Sequence, residues 1–275
     1  MIENKYGRLQ EILKEMRTVV IAFSGGVDST FLLKAALDTL GRENVLAVTA
    51  DSETYPFEEL QEAIKLAEAL GARHEVIQTS ELAILGYAEN TSNRCYFCKK
   101  SLFEHLIPIM HENQYKNVIF GLIADDLGEH RPGTKAAKEY NVRGPLQEAN
   151  LYKAEIRELS QQMGLPTWDK PSFACLSSRI AYGEQITIEK LRRIDQSEQA
   201  VRAFGIRQVR VRNHGEIARI EVEPADFKRL LENHEEIVHI LKGNGYTYVT
   251  LDMSGYKSGS MNKLLKDSVK QVERV

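Results

Sequence analysis

Hydrophobic positions in the first half of the chain alternate between two rhythms. Leu9, Ile12, Leu13 and Met16 recur at helical spacing and predict a helix over residues 6–16. The β-branched run Val19-Val20-Ile21-Ala22 follows and predicts a strand, then a helical stretch covers residues 30–37. Residues 44–49 predict a second strand, residues 57–70 an amphipathic helix stopped at Gly71, and residues 75–79 a third strand. A helix over roughly 99–111 and a strand over 117–121 continue the series. Strand alternating with helix predicts an α/β, doubly wound, mostly parallel sheet, whose ligands sit beyond the strand C-termini.

Residues 153–166 read as a helix closed by Gly164 and Pro166. Residues 167–183 then form a long irregular stretch, which in a compact domain is functional or disordered. The pattern changes near residue 187. A helix over 188–204, strict alternation at Gln208-Val209-Arg210-Val211-Arg212 and again at 218–222, two helical segments and a strand over 246–251 predict a small α+β domain with an antiparallel sheet. The expected division is therefore 1–185 for the α/β domain and 186–275 for a C-terminal domain serving substrate binding or oligomerisation. No internal repeat or low-complexity segment interrupts it.

The 275 residues are 43% hydrophobic and 27% charged, enough to bury a sizeable core. A net charge of -3 gives no global basic field and argues against nucleic acid as a partner. No stretch reaches the length of a membrane span and the N-terminus lacks a signal-peptide pattern, so a cytoplasmic location is expected. In that compartment three cysteines are not expected to be disulfide staples, which makes their positions a chemical question.

The strongest chemical signal is Ser24-Gly25-Gly26-Val27-Asp28-Ser29, directly after the first strand. A glycine-rich turn entering a helix N-terminus binds anions through outward N–H groups and the helix dipole. Gly25 and Gly26 permit close approach of phosphate, Ser24 and Ser29 supply hydroxyls, and Asp28 can hold Mg2+. The loop is neither a Walker A loop nor G-x-G-x-x-G. It resembles the PP-loop of the ATP pyrophosphatases, which implies ATP cleaved between its α- and β-phosphates; a ligand-free turn is the plain alternative.

Cys95-Tyr96-Phe97-Cys98 lies on a predicted turn before Lys99, and Cys175 lies in the long irregular stretch. Zinc with a fourth ligand such as His105 or His130, ordinary buried thiols, and three ligands of a 4Fe-4S cluster are all open on the residues alone. Asp125, Asp126 and Arg131 follow the fourth strand, where acidic groups can hold Mg2+ and an arginine can meet phosphate; a hydrophilic turn is the alternative. Arg210 and Arg212 alternate on one strand and so share a face, with Arg179 and Arg219 as possible additions. They can clamp a phosphate or carboxylate, or else pair with Glu221 or Glu223 on a solvated face. Lys153 opens a helix and can donate to ATP or remain a surface lysine.

Ser-Gly-Gly-Val-Asp-Ser at 24–29, Asp-Ser-Glu-Thr-Tyr-Pro at 51–56, Arg131-Pro132-Gly133, Ala-Cys-Leu-Ser-Ser-Arg at 174–179 and Val-Arg-Val-Arg at 209–212 together resemble the LarE family. These are ATP-dependent sulfur transferases that build the nickel-pincer nucleotide of lactate racemase. The resemblance implies adenylylation of a carboxylate on pyridinium-3,5-biscarboxylic acid mononucleotide, then displacement of AMP by sulfur. It implies an ATP site of Ser24, Gly25, Gly26, Asp28, Ser29, Asp51, Ser52, Gly121 and Lys153, with Asp28, Lys99 and Cys175 catalytic. It also implies Arg131, Ser178, Arg179, Arg210, Arg212 and Glu221 at the substrate phosphate and carboxylate.

One branch of the family surrenders the sulfur of a single cysteine, the counterpart of Cys175. Members with an added Cys-x-x-Cys resemble 4Fe-4S proteins, and the set Cys95, Cys98 and Cys175 favours that branch. A separate sulfide donor and a homo-oligomer are implied as partners. The rivals are an iron–sulfur tRNA thiolase, an amidating NAD or GMP synthetase, and a nucleotide- or metal-binding module without turnover.

Overall fold

The structure, a computed structural model, describes residues 2–127 and 132–257. The chain divides into two compact units, residues 1–80 with 95–173, and residues 81–94 with 174–275. The expected 185/186 boundary falls inside the second unit, which also takes the 81–94 segment.

In the first unit, strands β1 (Val19–Ala22), β2 (Val45–Asp51), β3 (Arg73–Gln78) and β4 (Asn117–Phe120) form an all-parallel sheet in the order β3-β2-β1-β4. Its helices are α1 (Ile2–Met16), α2 (Val27–Leu40), α3 (Phe57–Ala69), α4 (Arg94–Glu112), α5 (Pro132–Glu139), α6 (Pro145–Glu148) and α7 (Lys153–Gln162). Alternate residues of β1 feed opposite cores, as pleating requires. Val19 and Ile21 pack with Leu9, Phe31, Ala63 and Ile156, from α1, α2, α3 and α7. Val20 packs with Leu46, Phe103, Leu106 and Ala136 on the other face, under α4 and α5. The sheet is thus doubly wound, and its order reverses between β1 and β4, the place where open α/β sheets bind ligands. Among the described residues no helix is long and apolar enough to cross a membrane.

Two local expectations change here. Cys95 and Cys98 do not sit on a turn but in the first two turns of α4, which starts five residues before the predicted Lys99. The short α5 and α6, eight and four residues, carry too little periodicity to stand out in the sequence.

The second unit contains α8 (Ile188–Ala203), β5 (Val209–His214), β6 (Ile217–Val222), α9 (Phe227–Glu232), α10 (His234–Gly243) and β7 (Tyr248–Leu251). Its sheet runs β5-β6-β7 and is mixed rather than antiparallel: β5 and β6 are antiparallel, but β7 is parallel to β6. The cause is the α9–α10 crossover, which returns the chain to the end where β6 began. Val209, Val211, Ile220, Ile237 and Leu241 close the core beneath α8 and α10.

A buried ion pair fastens this unit. Arg179 and Glu198 both have zero side-chain exposure and join through Nε–Oε1 at 2.8 Å and Nη2–Oε2 at 2.9 Å. Glu198 also accepts from Val211 N (2.9 Å) and Arg202 Nη2 (2.9 Å), linking the loop, α8 and β5. Burial pushes the Glu198 carboxyl up, but Arg179, then Arg210 and Arg202, pull harder and leave it below its ordinary value. Glu198→Ala strands a buried guanidinium, so chemical denaturation is expected to show a loss of about 3–5 kcal/mol.

Candidate active site

The β1–α2 loop has a specific hydrogen-bond economy. Four successive carbonyls are each taken by a side chain. Thr49 Oγ1 donates to Phe23 O at 2.9 Å and Tyr55 Oη donates to Ser24 O at 2.7 Å. Lys170 Nζ donates to Gly25 O at 3.2 Å and Ser29 Oγ to Gly26 O at 3.2 Å. With its acceptors turned away, the loop faces a ligand with donors, at a helix N-terminus that already favours an anion. Ser24 and Ser29 hydroxyls stand 3.1 Å apart across it.

The two glycines differ. Gly25 has φ +60°, and a Cβ there would come within 3.0 Å of Ala63 on α3, so both conformation and packing demand glycine. Gly26 is extended (φ -80°, ψ 169°) and its Cβ would make only an ordinary 3.5 Å contact with Ser24 Oγ. Gly121, just past β4, is needed for close approach: a Cβ would stand 3.1 Å from Ser29 N and 3.3 Å from the Asp28 Cβ.

Asp28, in the first turn of α2, is paired with Lys153, the first residue of α7, at 2.7 Å to each carboxylate oxygen. Lys153 N in turn donates to Asp125 Oδ2 at 2.7 Å, and Ile123 N donates to Asp126 Oδ2 at 3.1 Å. Both carboxylates expected to hold Mg2+ beside Asp28 thus cap backbone N–H groups. Asp51 ends β2 and accepts from Gln78 Nε2 at 2.8 Å, while Ser52 Oγ lies 3.3 Å from Thr54 Oγ1. Lys99 places its ammonium 5.9 Å from the Phe120 ring centroid at the end of β4.

Thr49, Tyr55, Lys170 and His74 were not singled out from the sequence. Because the one Thr49 proton goes to Phe23 O, His74 Nε2 at 2.9 Å must donate to Thr49 Oγ1, which fixes its tautomer. The position of Tyr55 within Asp-Ser-Glu-Thr-Tyr-Pro and of Lys170 within the long irregular stretch were the available signals.

In the second unit, Arg210 and Arg212 do share a face of β5, opposite Glu221 and Arg219 on β6. Arg212 donates to Glu221 Oε2 at 2.7 Å and to Ser178 O at 3.0 Å. Glu221, fully buried, also accepts from Arg219 at 2.8 Å. Burial, then the charge of Arg179, lowers the Arg210 guanidinium to about 10 despite Glu198. Arg179 is no open substrate ligand, contrary to expectation. Beyond Glu198 it holds Ala174 O and Cys175 O, the latter at 2.9 Å, and orders the loop carrying Cys175.

Cys95 is exposed, and Cys98 and Cys175 are half-buried. Cys95 and Cys98 are one helical turn apart at the start of α4. They belong to the first unit and Cys175 to the second. Arg131 and His130 lie outside the described residues.

A parallel sheet whose first strand delivers Ser-Gly-Gly-x-Asp-Ser, carbonyls turned away, to its topological switch point defines an ATP-dependent enzyme of the PP-loop class. Residues 3–100 match the NAD synthase family. The chain is 39% identical over 264 residues to the pyridinium-3,5-bisthiocarboxylic acid mononucleotide synthase of Lactiplantibacillus plantarum, covering 96% of each chain. It belongs to that synthase's family, the LarE family. An uncharacterized protein of Synechocystis is 45% identical over 267 residues, 96% of this chain and 99% of that one. The NH(3)-dependent NAD(+) synthetase of Methanococcoides burtonii is 29% identical over 154 residues, 54% of this chain and 57% of that one.

Two outcomes follow for the site. Gly25→Ala is expected to abolish nucleotide binding measured by calorimetry, while Gly26→Ala retains the loop fold and binds within about tenfold of wild type. Burial holds the His74 imidazole below its ordinary 6.5, and burial, then Arg219, does the same to His214. Protons therefore bind the unfolded chain first as pH falls. Stability should decline as pH falls below about 6.5, and His74→Gln with His214→Gln should flatten that decline in urea titrations.

Proposed function

We propose that this chain is a sulfur transferase that adenylylates a carboxylate of pyridinium-3,5-biscarboxylic acid mononucleotide and replaces its oxygen with sulfur. The single observation carrying the ATP step is the β1–α2 loop, whose four successive carbonyls are each held by a side-chain donor. Ser24, Gly25, Gly26 and Ser29 take the pyrophosphate portion of ATP, Ser29 through its backbone N–H because its hydroxyl proton goes to Gly26 O, with Asp51, Ser52 and Gly121 beside the nucleotide. Lys153 moves from Asp28 to the phosphates, freeing the carboxylate. Mg2+ suits that carboxylate, and when bound it supplies charge neutralisation of the phosphates. Asp125 and Asp126 contribute through the backbone they cap.

Arg210 and Arg212 hold the substrate phosphate, with Glu221 keeping their charge in bounds. Arg131 and Ser178 meet the substrate carboxylates, and Lys99 balances charge at the end of β4. A substrate carboxylate oxygen attacks the α-phosphorus, the bond to the bridging α,β-oxygen breaks, and pyrophosphate leaves with that electron pair. Sulfur then attacks the acyl carbon, and AMP departs carrying the carboxylate oxygen. Activation is needed because an acyl phosphate is a far better electrophile than a carboxylate.

For the sulfur source we propose a 4Fe-4S cluster held by Cys95, Cys98 and Cys175. Three soft thiolate donors are the ligand set such a group takes, and two of them stand one helical turn apart at the start of α4. When bound, it supplies an iron without a protein thiolate, on which an inorganic sulfur can be carried. The same reaction with Cys175 itself surrendering sulfur is the second reading, favoured by the ordering of its loop by Arg179.

Pyrophosphate release should depend on the mononucleotide, and Arg210→Gln should raise KM for it about tenfold or more, the loss of one charged phosphate contact. Anaerobically purified protein should contain about four irons and acid-labile sulfides per chain, lost in Cys175→Ala. Absence of iron, with a dehydroalanine mass at Cys175 after turnover, would select the second reading.

A further inference from the structure

The irregular stretch after α7 is tied to the phosphate loop through one buried lysine. Lys170 is 9% exposed. Three oxygens lie within 3.2 Å of its Nζ: Gly25 O at 3.2 Å, Glu62 Oε2 at 2.9 Å and Glu59 Oε2 at 2.8 Å. Its charge therefore stands between two carboxylates of α3 and a loop built to receive a polyanion. Tyr55, which holds the neighbouring Ser24 carbonyl, makes an edge contact with Phe173 at 5.9 Å between centroids. Burial, then Glu59 and Glu62, raises the Tyr55 phenol far above its ordinary value, so it remains a donor.

The backbone of the stretch is held from the opposite side. Arg157 of α7 donates through Nη1 to Trp168 O at 2.6 Å and through Nη2 to Lys170 O at 2.8 Å. One turn earlier on the same helix face, Lys153 grips Asp28. Lys170 thus ties the phosphate loop to the 168–170 backbone, while Arg157 and Lys153, one turn apart on α7, hold that backbone and Asp28 respectively. The 168–170 segment leads in sequence to Cys175.

We propose that Lys170 is a positioning residue for the nucleotide step. It keeps the Gly25 carbonyl out of the phosphate site, neutralises Glu59 and Glu62 behind the loop, and transmits nucleotide occupancy to residues 168–173. This rests on the ATP reading above and adds a coupling to it. Without the ammonium, two unscreened carboxylates repel the phosphates and the Gly25 carbonyl is released to compete with its own N–H donors.

The test uses the full chain with Mg2+ and the non-cleavable α,β-methylene analogue of ATP. In wild type, the analogue should slow hydrogen exchange of the amides in 168–173. Lys170→Met should weaken analogue binding about tenfold or more, the effect of losing a charge-assisted hydrogen bond, and abolish that protection. Lys170→Arg should recover part of the affinity. Glu59→Gln with Glu62→Gln should also recover part of it in the Lys170→Met background, an effect that lost packing would not produce. In turnover, Lys170→Met should raise KM for ATP more than it lowers kcat for pyrophosphate release.

Equal affinity in wild type and a folded Lys170→Met overturns the proposal, as does wild-type binding without protection of 168–173. That second result needs no variant, so it decides even if Lys170→Met fails to fold. Failure of wild type to bind the analogue at all would instead overturn the ATP reading.

Discussion

The outward anchoring of four consecutive carbonyls in the β1–α2 loop is the constraint on which the site depends. A peptide loop carries acceptors and donors in equal number, so on its own it has no reason to prefer an anion. Thr49, Tyr55, Lys170 and Ser29 remove the acceptors from play. The donors that remain act with the α2 dipole, which is worth more when the opposing oxygens are already occupied. Each anchoring side chain comes from a different place: β2, the turn before α3, the stretch after α7, and α2 itself. The doubly wound sheet matters because it brings those four places around one strand end.

The second unit solves a different problem, that of storing positive charge in a buried place. Arg179, Arg202, Arg210, Arg212 and Arg219 are set against Glu198, Glu221 and Asp252. Glu198 and Glu221 each serve more than one guanidinium, which holds the cluster together.

Much of this was legible in the sequence. The alternation of strand and helix over residues 6–121 declared the parallel sheet, and the Ser-Gly-Gly-x-Asp-Ser motif declared the loop that follows its first strand. The alternation of Arg210 and Arg212, also a local pattern, declared a shared face. What stayed hidden depends on long-range return of the chain. Nothing local marks Lys170 as a partner of Gly25, 145 residues away. Arg179 was expected to join Arg210 and Arg212 at a substrate, whereas its carboxylate partner lies on α8, 19 residues on. The direction of β7 was set by a helical crossover that strand periodicity does not record. The Cys-x-x-Cys pair read as a turn although Asn93, a residue type favoured at N-caps, stands directly before α4.

Transfer of oxygen from the substrate carboxylate to AMP tests the adenylylation step most directly. Pyridinium-3,5-biscarboxylic acid mononucleotide carrying 18O in its carboxylates would be turned over with unlabelled Mg-ATP and a sulfide source, and the AMP analysed by mass spectrometry. Adenylylation followed by displacement with sulfur predicts one 18O in each AMP and pyrophosphate without label. Unlabelled AMP, or ADP and phosphate in place of AMP and pyrophosphate, would contradict it.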